Sequence, residues 1–218
     1  LLIKKNIDIC TERQIEGAIF IGLEDTDENT DLLRNIEIPT VILEKNSGRN
    51  ISYVGSDNDY GINLILDHLL ELGHKNIGFI KGLEIIECAK ERFDSFKKRM
   101  KYIGIYQENL IKTGDLRMKS DIIAAKELLN EKNRPSAIIA SSDLWPLDYE
   151  AIREAGLKIP QDISVVGYDG FEIGKYISPT LTTVYQDFLE MGEITVDLLF
   201  YDRTKKEAMN VILKPKLI

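Results

Sequence analysis

Acidic and hydroxyl side chains follow several strongly apolar segments of this sequence. The β-branched run 163–166 is typical of a buried strand, and Asp169 comes soon after it, between Gly167 and Gly170. Other apolar segments end at Glu44, Asp57, Ser142 and Asp143. If these segments are parallel strands, their carboxyl ends lie at one edge of a sheet, which is where ligands of such sheets bind. The set therefore predicts a ligand-binding site.

Each of these polar residues also has a local explanation. Asp and Ser favour helix N-caps and turns, because their side chains bond to nearby backbone groups. Several strand ends with such groups in one chain favour a shared site over separate local roles. Asp143 is the exception: we interpret it as the cap of the helix that follows it.

The elements that would position these residues alternate along the chain. Apolar runs predict strands at residues 15–23, 38–46, 51–57, 76–82, 136–143, 162–169, 181–186 and 208–215. Helical spacing predicts helices at residues 59–74, 88–104, 120–132, 147–157 and 187–201. Nearly continuous Val, Ile and Leu in the strands predict an α/β fold with parallel sheets covered by helices on both faces. The number of strands favours two lobes.

Composition excludes several classes of protein. The 218 residues include 28 Lys and Arg against 36 Asp and Glu, a net charge of −8, so this chain alone is not expected to bind DNA. The basic clusters at 97–101 and 203–206 are interpreted as solvated surfaces. There is no membrane-spanning segment and no signal peptide at the first residues, so we expect a cytoplasmic protein.

Metal, cofactor and catalytic motifs are not found in the sequence. Cys10 and Cys88 lie far apart without a CxxC pattern, so neither a metal site nor a disulfide framework is predicted. His68 and His74 are the two histidines, and neither lies in a recognisable catalytic motif. We therefore predict a protein without a cofactor that is not an enzyme.

Two long segments resemble a known family. Residues 56–82, "SDNDYGINLILDHLLELGHKNIGFIKG", resemble the D-N-x-x-G … H-L-x-x-L-G-H block of the lactose-repressor (LacI/GalR) family. Residues 156–192 contain "IPQDISVVGYDG" and "PTLTTVYQ", which are similar to that family's I-P-x-D-I-S-V-V-G-[FY]-D-D and P-x-L-T-T-[VI]-x-Q patterns. "SAIIASSD" resembles the A-x-[NS]-D block between them. The resemblance extends from about Gln14 onward.

The resemblance implies a two-lobed, periplasmic-binding-protein-like fold of type I, with three crossovers between the lobes. Residues 1–54 and 186–206 would form the N-terminal lobe, and residues 55–185 and 207–218 the C-terminal lobe. The first β-α-β unit of the N-terminal lobe, and a DNA-binding head before it, would precede this sequence.

The resemblance also implies ligand contacts. By order of motifs, the polar contacts would be Asp169, Arg92, Asp57, Ser142, Glu44 and Gln186. Cys88 stands where the family usually has Ser, Ser142 replaces Asn, and Gly170 replaces a second Asp. Trp145 and Phe188 could form the apolar face of the pocket, although Trp145 could equally be a core residue. Ionised acceptors beside a planar Arg suit a sugar, whose hydroxyls donate and accept.

The function implied is that of the ligand-sensing domain of a bacterial transcriptional regulator. A small polar effector, such as a sugar or sugar derivative, would bind between the lobes of a homodimer. Binding would control the affinity of a helix-turn-helix head for operator DNA. The alternative is an extracytoplasmic sugar-binding protein of an ABC transporter, which shares the fold. On the first hypothesis, Asp169→Asn should weaken effector binding more than about tenfold and leave the melting temperature nearly unchanged.

Overall fold

The structure is a computed structural model that describes residues 9–10, 12–22, 38–44, 51–115, 118–143, 147–202 and 208–218. The strands are β1 (Ala18–Ile21), β2 (Thr40–Leu43), β3 (Ser52–Ser56), β4 (Ile77–Lys81), β5 (Ile111–Thr113), β6 (Ala137–Ala140), β7 (Ser164–Asp169), β8 (Thr182–Tyr185), β9 (Asn210–Leu213) and β10 (Lys216–Leu217). The helices are α1 (Asn58–Glu71), α2 (Glu87–Tyr102), α3 (Met118–Leu129), α4 (Leu147–Glu154), α5 (Ile173–Tyr176) and α6 (Phe188–Asp202), with a 3-10 turn at Glu108–Leu110.

The chain divides into two compact units. The first unit takes residues from 1–57, 85–88 and 187–213, and the second takes residues from 58–84, 89–186 and 214–218. The chain therefore passes between the units several times. Neither unit is a single continuous segment.

The first unit contains a parallel sheet with the strand order β1-β2-β3-β9. Successive side chains of a strand point to opposite faces, so neighbours on β2 enter different cores. Ile42 packs with Phe20 and Ile51 on one face. Val41 packs on the other face with Met191 and Leu198 of α6. The sheet is thus apolar on both sides.

The second unit contains a six-stranded sheet with the order β10-β8-β7-β6-β4-β5. Its strands are parallel, except that β10 runs antiparallel to β8. One face packs against α1 and α2 through residues such as Phe79, Phe96 and Leu66. The other face packs against α3 and α4 through residues such as Leu128 and Ile152. Two covered faces explain why the strands read as nearly continuous apolar runs.

The α/β class and the helix-covered parallel sheets predicted from the sequence are confirmed. Two short elements were not predicted, namely β5 and α5. The predicted strand 208–215 is two strands in different units, because β9 pairs with β3 and β10 pairs with β8. Residues 207–218, which the sequence assigns together to the second lobe, therefore divide between the units.

Candidate functional site

Four of the predicted polar residues meet within the second unit. Ser142 follows β6, Asp169 is the last residue of β7, and Gln186 follows β8. These three strands are parallel neighbours, so their carboxyl ends lie side by side at one edge of the sheet. Arg92 reaches the same edge from α2. The strand-end prediction thus holds for this group of side chains.

The Asp169 carboxylate is the centre of the group. Its Oδ1 atom accepts hydrogen bonds from Arg92 Nη1 at 3.0 Å and from Gln186 Nε2 at 2.8 Å. Its Oδ2 atom accepts a hydrogen bond from Ser142 Oγ at 2.6 Å. Because a carboxylate only accepts, these bonds orient the Gln186 amide with its NH₂ group toward Asp169.

Arg92 is held by further contacts. Its Nε atom donates to Asn58 Oδ1 at 2.8 Å, and its Nη1 atom also donates to the Ser141 carbonyl at 2.7 Å. The guanidinium carbon lies 3.8 Å from the centre of the Tyr168 ring, a stacked cation–π contact. Hydrogen bonds at one edge and a ring at one face leave a planar fork with a fixed orientation. We call Asp169, Arg92, Ser142, Gln186 and Asn58 the Asp169 network.

The network is buried. Arg92 is 3% exposed and Asp169 is 6% exposed, so their ion pair lies largely outside solvent. Removing two charges from water is costly, and the pair persists here because each partner has additional hydrogen bonds. Gln186 Oε1 is buried and has no hydrogen-bond partner among the described residues. A buried acceptor without a donor is an unfavourable arrangement that a donor from a bound ligand would relieve.

Asp143 has a different role from the one predicted for it. The sequence suggested the cap of the following helix, α4, but Asp143 Oδ1 has no hydrogen-bond partner among the described residues. Asp143 Oδ2 instead accepts from Gly170 N at 2.8 Å and from Thr183 Oγ1 at 2.6 Å. Burial raises the pKa of Asp143 to about 6, and the nearby charge of Asp169 adds to this rise, whereas the hydrogen bond from Thr183 opposes it.

The two glycines on either side of Tyr168 and Asp169 make room for specific neighbours. A Cβ atom on Gly167 would lie 1.7 Å from Asp143 Oδ1, so Gly167 admits the Asp143 carboxylate. Gly170 has φ +75°, and its Cβ would lie 2.7 Å from the Tyr185 Cα atom. The second acid of the G-[FY]-D-D pattern is therefore incompatible with this backbone at position 170.

The other predicted contacts lie elsewhere. Glu44 follows β2, Asp57 follows β3, and Phe188 begins α6, all within the first unit. Cys88, near the start of α2, is also assigned to that unit and is partly buried. Trp145 lies outside the described residues. The role of these residues as ligand contacts remains a prediction.

Several residues of the site were missed from the sequence. Asn58, Tyr168 and Thr183 each contact a charged member of the site. Asn58 could have been found, because it belongs to the D-N-x-x-G motif, from which only the acid, Asp57, was predicted as a contact. No comparable signal existed for Thr183, whose contact with Asp143 depends on the pairing of β7 with β8.

A separate groove of about 670 Å³ lies elsewhere in the second unit. It is lined by α4 and two loops, including Tyr149, Arg153, Ile159 and Pro179. None of its lining residues belongs to the Asp169 network.

The helices that the structure describes are too short or too polar to cross a membrane. The described residues also include no cluster of acids, histidines and cysteines that could hold a metal ion.

Comparison with known proteins identifies the family. A family profile described as "Periplasmic binding protein-like domain" matches residues 66–218. The chain belongs to this family, in the form found as the effector-binding domain of LacI-family transcriptional regulators. The helix-covered parallel sheets of this chain agree with the fold of those domains.

The relatives named here are each less than 30% identical to this chain. The HTH-type transcriptional repressor PurR of Actinobacillus pleuropneumoniae serotype 3 is 29% identical over 99% of this chain, and the chain spans 66% of that repressor. A structure of the transcriptional regulator CelR in complex with cellobiose has a TM-score of 0.91 and 26% identity, covering 99% of this chain and 68% of that one. A LacI family regulator from Enterococcus faecium with bound ribose has a TM-score of 0.85 and 26% identity, covering 98% and 81%.

Proposed function

We propose that this chain is the part of a transcriptional regulator that binds a small polar effector, a sugar or sugar derivative, and thereby controls operator binding by a DNA-binding head. The observation that supports this most strongly is the buried Asp169 network at the carboxyl ends of β6, β7 and β8. Such an edge is where ligands of parallel α/β sheets bind.

The chemistry of the network suits a polyol. Each sugar hydroxyl donates one hydrogen bond and accepts others, so its site needs acceptors beside donors. Asp169 supplies acceptors, as does Gln186 Oε1, which has no partner among the described residues, and Arg92 supplies donors in a fixed plane. Hydrogen bonds to charged groups contribute about 1.5–3 kcal/mol each, so a few of them suffice for micromolar affinity.

The relatives support a regulator over a transport protein. The repressor and the two structures named above are transcriptional regulators, and the two structures contain cellobiose and ribose. Turnover of a sugar by this protein would contradict the proposal of binding alone.

The proposed mechanism is a shift between two states of a homodimer. An effector changes operator affinity only as far as it binds one state better than the other. This coupling is typically about 1–3 kcal/mol. Glu44, Asp57, Cys88 and Phe188 are also proposed as effector contacts. Sedimentation of the full-length protein with and without effector tests the dimer.

Calorimetry with Asp169→Asn tests the site. The full-length protein is titrated first with cellobiose and ribose, then with phosphorylated sugars, nucleosides and purines. For a compound that binds, Asp169→Asn should weaken binding more than about tenfold, because it removes the charged acceptor. Asp94→Asn is the matched control, since Asp94 is an exposed acid of α2 that pairs with Lys90 at the surface.

Burial changes the expected stability of this variant. Asp169→Asn leaves the buried Arg92 charge without its counter-ion, and such a loss is strongly destabilising, up to about 3–5 kcal/mol. A nearly unchanged melting temperature is therefore no longer expected. Ser142→Ala retains the ion pair and is expected to weaken binding about fivefold, because it removes one hydrogen bond. Unchanged affinity in both variants would refute the proposed site.

A further inference from the structure

Asp143 holds the chain on both sides of Asp169. Its backbone N donates to the Tyr168 carbonyl at 2.7 Å, and its Oδ2 atom accepts from Gly170 N at 2.8 Å. Tyr168 and Gly170 are the two sequence neighbours of Asp169. Asp143 is 2% exposed, so these bonds do not compete with bulk water.

The backbone at Asp169 needs such support. Its φ angle is +111°, in a region that residues with a side chain rarely adopt. Backbone conformations of this kind persist only where the surrounding structure fixes them. The hydrogen bonds of Asp143 to Tyr168 and Gly170 act on the two peptide groups that flank this residue.

The Asp143 carboxylate also joins β7 to β8. Its Oδ2 atom accepts from Thr183 Oγ1 at 2.6 Å, and Gly170 N lies 3.3 Å from the same hydroxyl. Its Oδ1 atom occupies the space beside Gly167, where a Cβ atom would collide with it. One carboxylate thus fixes the end of β7 in relation to the strand beside it.

We propose that Asp143 is a positioning residue that sets the place of the Asp169 carboxylate in the effector site. The inference rests on the proposed function, because only then is Asp169 part of an effector site. The effect of Asp143 on the position of the Asp169 carboxylate can be tested without an effector. Asp143 acts through the backbone of Asp169 and its neighbours, and is not itself proposed to contact the effector.

The charged surroundings of Asp143 are simple among the described residues. Asp169 on β7 is the nearby charge that acts on it, and Arg92 of α2 is paired with Asp169. Thr183 on β8 does not titrate in this range. Burial raises the pKa of Asp143 to about 6, so its ionisation falls in an accessible window and provides a readout.

Amide NMR of the full-length protein tests the proposal. The Gly170 amide resonance should move between pH 4.5 and 8 with a midpoint near 6, the value of the Asp143 pKa. Asp143→Asn keeps an acceptor oxygen but does not ionise, so it should abolish this titration while the protein stays folded. Asp94→Asn, which changes an exposed acid, should leave the titration unchanged.

A second readout distinguishes an effect on the position of the Asp169 carboxylate from an effect confined to the backbone at Gly170. Gln186 Nε2 donates to Asp169 Oδ1, so the Gln186 side-chain resonances report where the Asp169 carboxylate lies. Asp143→Ala should shift them, although Gln186 has no hydrogen bond to Asp143. If an effector has been found, Asp143→Ala should weaken its binding at least about tenfold, and Asp143→Asn should restore much of that loss.

Each outcome bears on one of the two proposals. Loss of the Gly170 titration in Asp143→Asn, with shifted Gln186 resonances in Asp143→Ala, supports the positioning role. A Gly170 titration that persists in Asp143→Asn, or unmoved Gln186 resonances in Asp143→Ala, overturns it. If Asp143→Ala does not fold, the Asp143→Asn pH profile decides. Absence of any binding compound counts against the proposed function and leaves the NMR result standing.

Discussion

The buried pair of Arg92 and Asp169 shows how one interaction serves both the fold and the candidate site. Both side chains were predicted as ligand contacts, and the sequence could not reveal that they are bonded to each other. Their separation by 77 positions in the chain gives no local signal of the contact. Because the pair is buried, a substitution that tests binding also changes stability.

Gly170 allows a clean test of local strain. Gly170→Ala should destabilise the protein for two reasons, the left-handed φ of +75° and the approach of a Cβ atom to the Tyr185 backbone. Gly156 has nearly the same φ, +72°, but a Cβ there would meet nothing within 4 Å. Gly156→Ala should cost about 1–2 kcal/mol and Gly170→Ala about 1–3 kcal/mol more.

Urea unfolding of the two alanine variants measures this difference. Equal losses of unfolding free energy would mean that the Tyr185 contact does not constrain position 170. In that case the absence of a second acid in this protein would need another explanation than the backbone described here.

The helices and strands differ in how well the sequence predicts them. α1 was expected at 59–74 and spans Asn58–Glu71, because spaced apolar residues mark its buried face. β5 has only the three residues Ile111–Thr113, and α5 has four, too few for a periodic pattern. The length of the hydrophobic pattern therefore determines which helices and strands can be predicted from the sequence.

The site was predictable where it depends on element ends, and not where it depends on strand pairing. Ser142, Asp169 and Gln186 follow from the positions of three strand ends. Asp143 was misassigned because a local rule, the helix cap, competes with a contact to Gly170 that is distant in sequence. Tertiary contacts of this kind leave no trace in the neighbouring residues.

The junction between α1 and β4 has a pH-sensitive contact. His74 Nδ1 lies 2.8 Å from Ser136 Oγ, which precedes β6. Burial lowers the pKa of His74 from its usual value of 6.5, and the charge of His68 lowers it further. The unfolded chain then binds the proton more readily, so this contribution to stability is complete above pH 6.5 and is lost as the pH falls through the lowered value.

Replacement of this histidine checks the sign. Between pH 7 and pH 5 the unfolding free energy should fall less in His74→Gln than in the wild type, as measured by urea denaturation at several pH values. His68→Gln removes only the smaller cause and should resemble the wild type more closely. A steeper dependence in His74→Gln would contradict the lowered pKa.

At the scale of the whole molecule, the net charge bears on the proposed division between effector binding and DNA binding. The net charge is −8, and the basic residues of α2 include Arg99, which is partly buried and pairs with Asp67 of α1. The negative net charge of this chain therefore repels the phosphate backbone of DNA, although the chain belongs to a family of transcriptional regulators. This agrees with the proposal that a separate head binds the operator.

DNA binding by this chain alone should be undetectable. In fluorescence anisotropy with a duplex of about 20 base pairs at about 150 mM salt, no binding is expected in the micromolar range. Lys97→Gln with Lys98→Gln, which removes two basic side chains of α2, should give the same result. Binding that weakens steeply with added salt, and is lost in that variant, would show that α2 contacts DNA.

The fit of Asp143 against Gly167 also limits how such proteins can diverge. The carboxylate occupies the volume that any side chain at position 167 would need. A change at either position alone therefore disrupts the packing of the Asp143 carboxylate against Gly167, whereas paired changes can preserve it. Across related sequences these two positions, 24 apart in the chain, are expected to vary together or not at all.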